Sequence, residues 1–147
     1  MSSLDKLRAL SFSECLMLLV SVLTLPLVSV QLKLRGFRKT ERFMAQFSRL
    51  NIQPAASQAR VNQVAKMVSI AAALVPYRAR CLEQAITVWW MLGVMGVSST
   101  IRLGVCKSGV SIEAHAWVLH EGKIVIGQMN DQKEFTPLLD VNIERQR

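Results

Sequence analysis

The sequence predicts an α+β domain, with helices first and then an antiparallel sheet packed on a cysteine-bearing helix. Apolar residues recur at helical spacing through most of the first 96 residues. After Ser98-Ser99 the period drops to two: Ile101, Leu103 and Val105 alternate with Arg102, Gly104 and Cys106. Short turn sequences then follow at strand-length intervals, Lys107-Ser108-Gly109 and Glu121-Gly122. At 147 residues and 51% hydrophobic content, the chain can bury a real core and is not a disordered segment. It divides into a helical region over 1–56 and a core region over 57–147, expected to form one compact unit.

Ser13 is the expected N-cap of the first long helix, with Glu14 in its first turn. The apolar run over 15–30 contains Ser21, Thr24, Pro26 and Ser29. It is short for a bilayer span of roughly 20 apolar residues, and no A-x-A-like cleavage site follows it. It reads as a long buried helix kinked near Pro26; membrane contact is the alternative. Residues 31–50 combine Lys33, Arg35, Arg38, Lys39 and Arg42 with Phe43, Phe47 and Leu50. This is a basic amphipathic helix or helix pair with a break near Gly36, suited to covering the core or to lying on a membrane or a partner. A loop follows around Pro54, and Ser57 caps the next helix. That helix carries the stripe Val61, Val64, Val68, Ala72 and Val75 and ends before Pro76. Tyr77 to Arg80 is an extended link, Cys81 opens another helix, and Gly96 terminates it. Three strands form a meander over 100–127, and Phe135 to Val141 supplies a fourth strand or edge segment.

Residues 1–80 hold twelve Lys/Arg against three Asp/Glu, and residues 81–147 six against seven. The basic half suits an acidic partner, anionic lipid or simply solvation. No DNA-binding motif or aromatic stacking pattern marks a nucleic-acid partner. Three cysteines, Cys15, Cys81 and Cys106, and two histidines form neither a disulfide framework nor a zinc site. Free thiols suit a reducing cytoplasm, and neither cofactor nor metal is expected.

A helix N-terminus favours thiolate over thiol, because the ion sits against unpaired N–H groups and the positive end of the dipole. Arg78 and Arg80 add positive charge beside Cys81, and the same helix end offers donors to a developing oxyanion. A histidine within reach would take the thiol proton and return it to a leaving amine. His115 is the better partner. It shares a strand face with Trp117 and Leu119, is flanked by the small Ala114 and Ala116, and His120 sits by a turn. Cys15 and Cys106 read as core residues. A cysteine in a helix and a histidine in a strand are more often structural than catalytic, so spacing alone leaves the pair open.

Arg80-Cys81-Leu82-Glu83-Gln84-Ala85, Leu92, Gly93 and Gly96, Ile101 to Val105, and Ala114-His115-Ala116-Trp117-Val118 together resemble the transglutaminase-like leader peptidases of lasso-peptide biosynthesis. The resemblance is strong over about residues 60–140 and less specific before them. It implies a transglutaminase-like, papain-like fold in which Cys81 attacks a peptide carbonyl and His115 serves as base and then acid. It implies a ribosomal precursor peptide as substrate, a small separate leader-binding protein that presents it, and an ATP-dependent cyclase that closes the freed amine into a macrolactam. The third catalytic position departs from that pattern. The strand after His115, Lys123 to Gly127, has no acid. Asp131 is the nearest one downstream, Gln128 or Asn130 could orient the imidazole through an amide, and a backbone carbonyl could do so instead. A non-catalytic module that binds a peptide or cyclase, and acyl transfer at the same site, are the rival functions.

Overall fold

The computed structural model describes residues 3–48, 57–128 and 135–142. Its elements run α1 (Ser3–Arg8), α2 (Phe12–Phe47), α3 (Gln58–Leu74), α4 (Cys81–Val94), β1 (Thr100–Ser108), β2 (Ser111–His120), β3 (Lys123–Ile126) and β4 (Thr136–Asn142). This is the expected α+β order. Helices α2 and α3 pack on each other and on α4, and α4 lies between them and the sheet.

Helix α2 starts earlier than expected. Its N-cap is Ser11, not Ser13: the Ser11 hydroxyl accepts from the Glu14 N–H at 3.3 Å, and the Glu14 carboxylate accepts from the Ser11 N–H at 2.9 Å. The S-x-x-E spacing of this capping box is present in the sequence. Bonding to the Ser11 backbone, first, holds the Glu14 carboxyl below its ordinary value. Ser11→Ala should cost about 1 kcal/mol, read as a lower midpoint in denaturant-induced unfolding.

The helix passes through Pro26 without leaving helical geometry. The break expected near Gly36 is present: its φ of 75° and ψ of 175° are open to a residue without Cβ. Thr40 Oγ1 donates to the Gly36 carbonyl at 2.8 Å and steadies the restart. The expectation of a buried helix is corrected. Met17, Leu25 and Val28 are buried, but so are Ser21, Thr24 and Ser29, while one whole apolar face is exposed.

Helix α3 has Ser57 as N-cap in extended conformation, though its hydroxyl makes no capping bond. Val75 ends the helix at φ −65°, ψ 146°, the extended geometry that a following proline enforces. Helix α4 is enclosed by its neighbours. Ala85, Ile86, Val88, Trp89 and Leu92 are fully buried in one cluster with Val61, Val64 and Val68 of α3 and with Ile101, Ala116 and Val118 of the sheet. Each fully buried aliphatic or aromatic side chain stabilises the fold by about 1.5–3 kcal/mol.

The sheet is antiparallel, in the order β3-β2-β1-β4. Ile101 stands opposite Val118 and Leu103 opposite Ala116 on β2, while Val141 stands opposite Ile101 on β4. Ile101, Ala116, Val118 and Val141 belong to the buried cluster and Leu103 packs against it, so they mark the sheet face that the helices cover. The segment from Phe135 is thus both the fourth strand and an edge. Arg102 holds that edge to β1 through two 2.8 Å hydrogen bonds to Asp140. Those bonds hold the Asp140 carboxyl below its ordinary value. A lowered carboxyl stabilises the fold above its unfolded-state value and loses that contribution as pH falls through the folded one. Both side chains are a third or more exposed, so solvent screens the pair. Asp140→Asn should cost less than about 1 kcal/mol at neutral pH. The difference from wild type in thermal melts should begin to shrink below about pH 4 and vanish only once pH has fallen through the lower folded-state value.

Candidate active site

Cys81 is the first residue of α4. The preceding residue, Arg80, is the N-cap, extended at φ −79° and ψ 164°. The Arg80 N–H donates to Glu83 Oε2 at 3.0 Å. Only this carboxylate half of a capping box operates here, because a guanidinium has no acceptor to offer the helix. Gln84 Nε2 donates to the Ala79 carbonyl at 3.1 Å and ties the link back onto the first turn. Arg-Cys-Leu-Glu-Gln is therefore a locally braced helix start, with Glu83 buried and Cys81 half-buried against the apolar core. Burial, and then the negative charge of Glu83, raise the Tyr77 phenol above its ordinary value, while the Ser29 hydroxyl works against them.

His115 lies in the middle of β2, opposite Gly104 of β1. Its Nε2 is 2.7 Å from the Gly127 carbonyl oxygen. A carbonyl only accepts, so Nε2 carries the proton, and the neutral ring keeps a lone pair on Nδ1. The imidazole is fixed by a backbone carbonyl, one of the alternatives the sequence left open. Its ring stacks on Trp117, with centroids 5.7 Å apart and planes 25° apart, and meets Phe135 at 5.5 Å. Trp117 and Phe135 meet edge to face at 6.0 Å.

Two glycines make room for this arrangement. A Cβ on Gly104 would lie 2.6 Å from Trp117 Cη2 and 3.0 Å from the Thr136 carbonyl. A Cβ on Gly127 would lie 2.7 Å from both the Ala116 carbonyl oxygen and Trp117 Cβ, at a φ of 94°. Sequence reasoning did not mark Gly127 or Phe135 as site positions. Gly127 directly after a short strand was the available signal; Phe135 offered none, since its contact depends on how the chain crosses from β3 to β4.

The strand pleat separates the thiol from the imidazole. Ala116 and Val118 face the helices, so His115 and Trp117 leave β2 from the opposite face. Among the described residues, no hydrogen bond joins Cys81 to His115. Cys106, in contrast, stands opposite Glu113 and so shares the sheet face of His115, one diagonal step away. It is buried, as expected, and its Sγ lies 3.7 Å from the Lys107 carbonyl. Cys15 is exposed, which corrects its reading as a core residue. His120 has a structural role: its Nδ1 is 2.7 Å from the Ser98 carbonyl, which joins the end of β2 to the link between α4 and β1. Gln128 is exposed. Asp131 and Asn130 lie outside the described residues.

A family model described as the transglutaminase-like superfamily matches residues 24–140, from the middle of α2 to β4. That span contains both Cys81 and His115. No curated protein and no solved structure matches the chain.

Proposed function

The chain belongs to the transglutaminase-like superfamily, and from that premise we propose that it is a cysteine peptidase that removes the leader from a ribosomal lasso-peptide precursor. The superfamily is compatible with both peptide hydrolysis and acyl transfer through a cysteine thiol. The observation that carries the catalytic reading is the Nε2–H bond from His115 to the Gly127 carbonyl. It fixes one tautomer and leaves Nδ1 as the basic nitrogen, the state a general base requires.

In this reading Nδ1 takes the Cys81 proton and the sulfur attacks the scissile carbonyl carbon. N–H groups at the start of α4 receive the developing oxyanion. The C–N bond breaks as the imidazolium returns its proton to the leaving amine, and water then hydrolyses the thioester. The reaction requires Cys81 Sγ and Nδ1 to come within hydrogen-bond reach. Because the pleat of β2 separates them, substrate binding must shift β2 or the start of α4 enough to unite the two groups. The proposed setting is cytoplasmic, with a separate leader-binding protein to present the precursor and an ATP-dependent cyclase to consume the product amine. In this reading Asp131 would support the imidazolium by its charge, because both ring nitrogens are already engaged.

Product mass tests the chemistry. Incubation with a lasso precursor and its leader-binding protein should yield two fragments whose masses sum to precursor plus water. A product joined to an added amine, without the mass of water, would assign acyl transfer instead. An intact precursor under the same conditions would favour the non-catalytic reading, a peptide- or cyclase-binding module. The separate sheet faces of Cys81 and His115 are the observation on its side.

A further inference from the structure

Helix α2 presents its large apolar side chains outward. Phe12, Leu16, Leu19 and Leu23 are spaced 4, 3, 4, and Leu23, Leu27, Val30 and Leu34 repeat that spacing. All seven are between 45% and 87% exposed. The side turned to the protein includes the small polar residues Ser21, Thr24 and Ser29, all buried. The Ser21 hydroxyl is satisfied within the fold by the Met17 carbonyl at 2.7 Å. This is the reverse of a helix that meets water, where polar residues face out. Small and hydroxyl residues at helix contacts, with leucines outside, are the pattern of a helix whose outer surroundings are apolar.

The repeat limits what covers the stripe. Seven contacts that recur after 11 residues average about 3.67 residues per turn, close to a straight helix and away from the 3.5 of a left-handed coiled coil. Such a stripe stays on one side of the rod and suits a flat surface better than a winding partner helix. Charge narrows it further. Lys33 and Arg35 flank the end of the stripe, and Arg38, Lys39 and Arg42 follow across the Gly36 kink, all exposed. None of them pairs with a carboxylate among the described residues. Leucines ending in unpaired cations match an acyl layer bordered by anionic headgroups. Residues 12–23 also precede the span matched by the superfamily model, so half of the stripe lies outside it.

We infer that α2 seats this protein on an anionic membrane, lying in the plane of the interface with Phe12 to Leu34 among the acyl chains and Lys33 to Arg42 at the phosphates. The helix is long and apolar enough to cross a bilayer. Its other side, however, is packed on α3 and α4, so an upright span would draw those helices into the lipid with it.

Flotation of the full chain with vesicles tests this, because aggregates sediment and do not float. With phosphatidylcholine containing about 30% phosphatidylglycerol the protein should rise with the vesicles, and with phosphatidylcholine alone it should rise at least about tenfold less. Salt near 0.5 M, or Arg38→Glu with Lys39→Glu, should reduce binding by a similar factor. Leu19→Glu with Leu23→Glu should abolish it while thermal melts stay at the wild-type value, since both side chains are exposed. Wild-type protein that stays at the bottom with every vesicle, or a double-glutamate variant that floats as well as wild type, overturns the inference. So does protein that resists alkaline extraction and needs detergent, which would mean a span. A concentration-dependent dimer dispersed by the leucine substitutions, without flotation, would give the stripe to a second copy.

Discussion

Cys81→Ala should lower precursor cleavage by at least about a thousandfold and leave the fold intact. Loss of a covalent nucleophile leaves only binding and oxyanion contacts to help the reaction. The substitution removes one half-buried sulfur at a helix start, and alanine is a good helix former. The decisive comparison is Cys106→Ser. Cys106 shares a sheet face with His115 and Cys81 does not. Cleavage that survives Cys81→Ala but is lost in Cys106→Ser would transfer the nucleophile to β1 and sink the assignment. Thiol alkylation at neutral pH gives a second reading that needs no substrate. Because Cys15 is exposed, it will react through access alone, so the measurement belongs in a Cys15→Ser background. In that protein, adding a leader peptide that lacks the scissile bond, with its leader-binding partner, should accelerate Cys81 alkylation, as the imidazole is brought to the sulfur. His115→Ala should cancel the acceleration. An unchanged rate with and without His115 would separate the two residues chemistry from chemistry.

What the sequence disclosed about this fold was mostly local. The start of α4 at Cys81, the stop at Val75 before Pro76 and the Glu121-Gly122 turn all depend on neighbours in the chain. The failures arose where a local signal had two physical outcomes. Pro26 can break a helix or be carried inside one, and here the helix tolerates it, while Gly36 supplies the break. The apolar run over 15–30 matches a buried helix and a half-exposed one equally well, because hydrophobicity does not say which side the protein covers. The buried side is set by α3 and α4, dozens of residues away. The outcome also decided Cys15, which points away from that packing.

The site divides in the same manner. Alternation along Ala114-His115-Ala116-Trp117 placed the imidazole and indole together, and they do stack. Nothing in that alternation told which face would meet α4. The burial of Ile101, Ala116 and Val118 settles it, and it leaves His115 turned toward Phe135 and the Gly127 carbonyl. The superfamily match contains both candidate residues, while their union in one reacting complex rests on motion that the kinetic comparison above can detect.

Gly127→Ala should destabilise the protein by about 2–4 kcal/mol and release the His115 ring, the largest structural effect expected of one added methyl group here. Two independent causes combine at this position. The backbone has a φ of 94°, which L side chains rarely adopt, and the new Cβ would meet a carbonyl oxygen and the Trp117 backbone, neither of which is a flexible side-chain tip. Relief requires the chain after β3 to move away from β2. That movement carries off the carbonyl that holds Nε2–H. Gly122→Ala separates the causes. Gly122 has a similar φ of 76° but open space around its Cβ position, so it should cost only about 1 kcal/mol and leave the imidazole bonded. Urea midpoints measure the stability, and the slowly exchanging Nε2 proton in an NMR spectrum reports the His115 bond. A Gly127→Ala protein as stable as Gly122→Ala, with the Nε2 proton still protected, would show that the carbonyl does not position the ring.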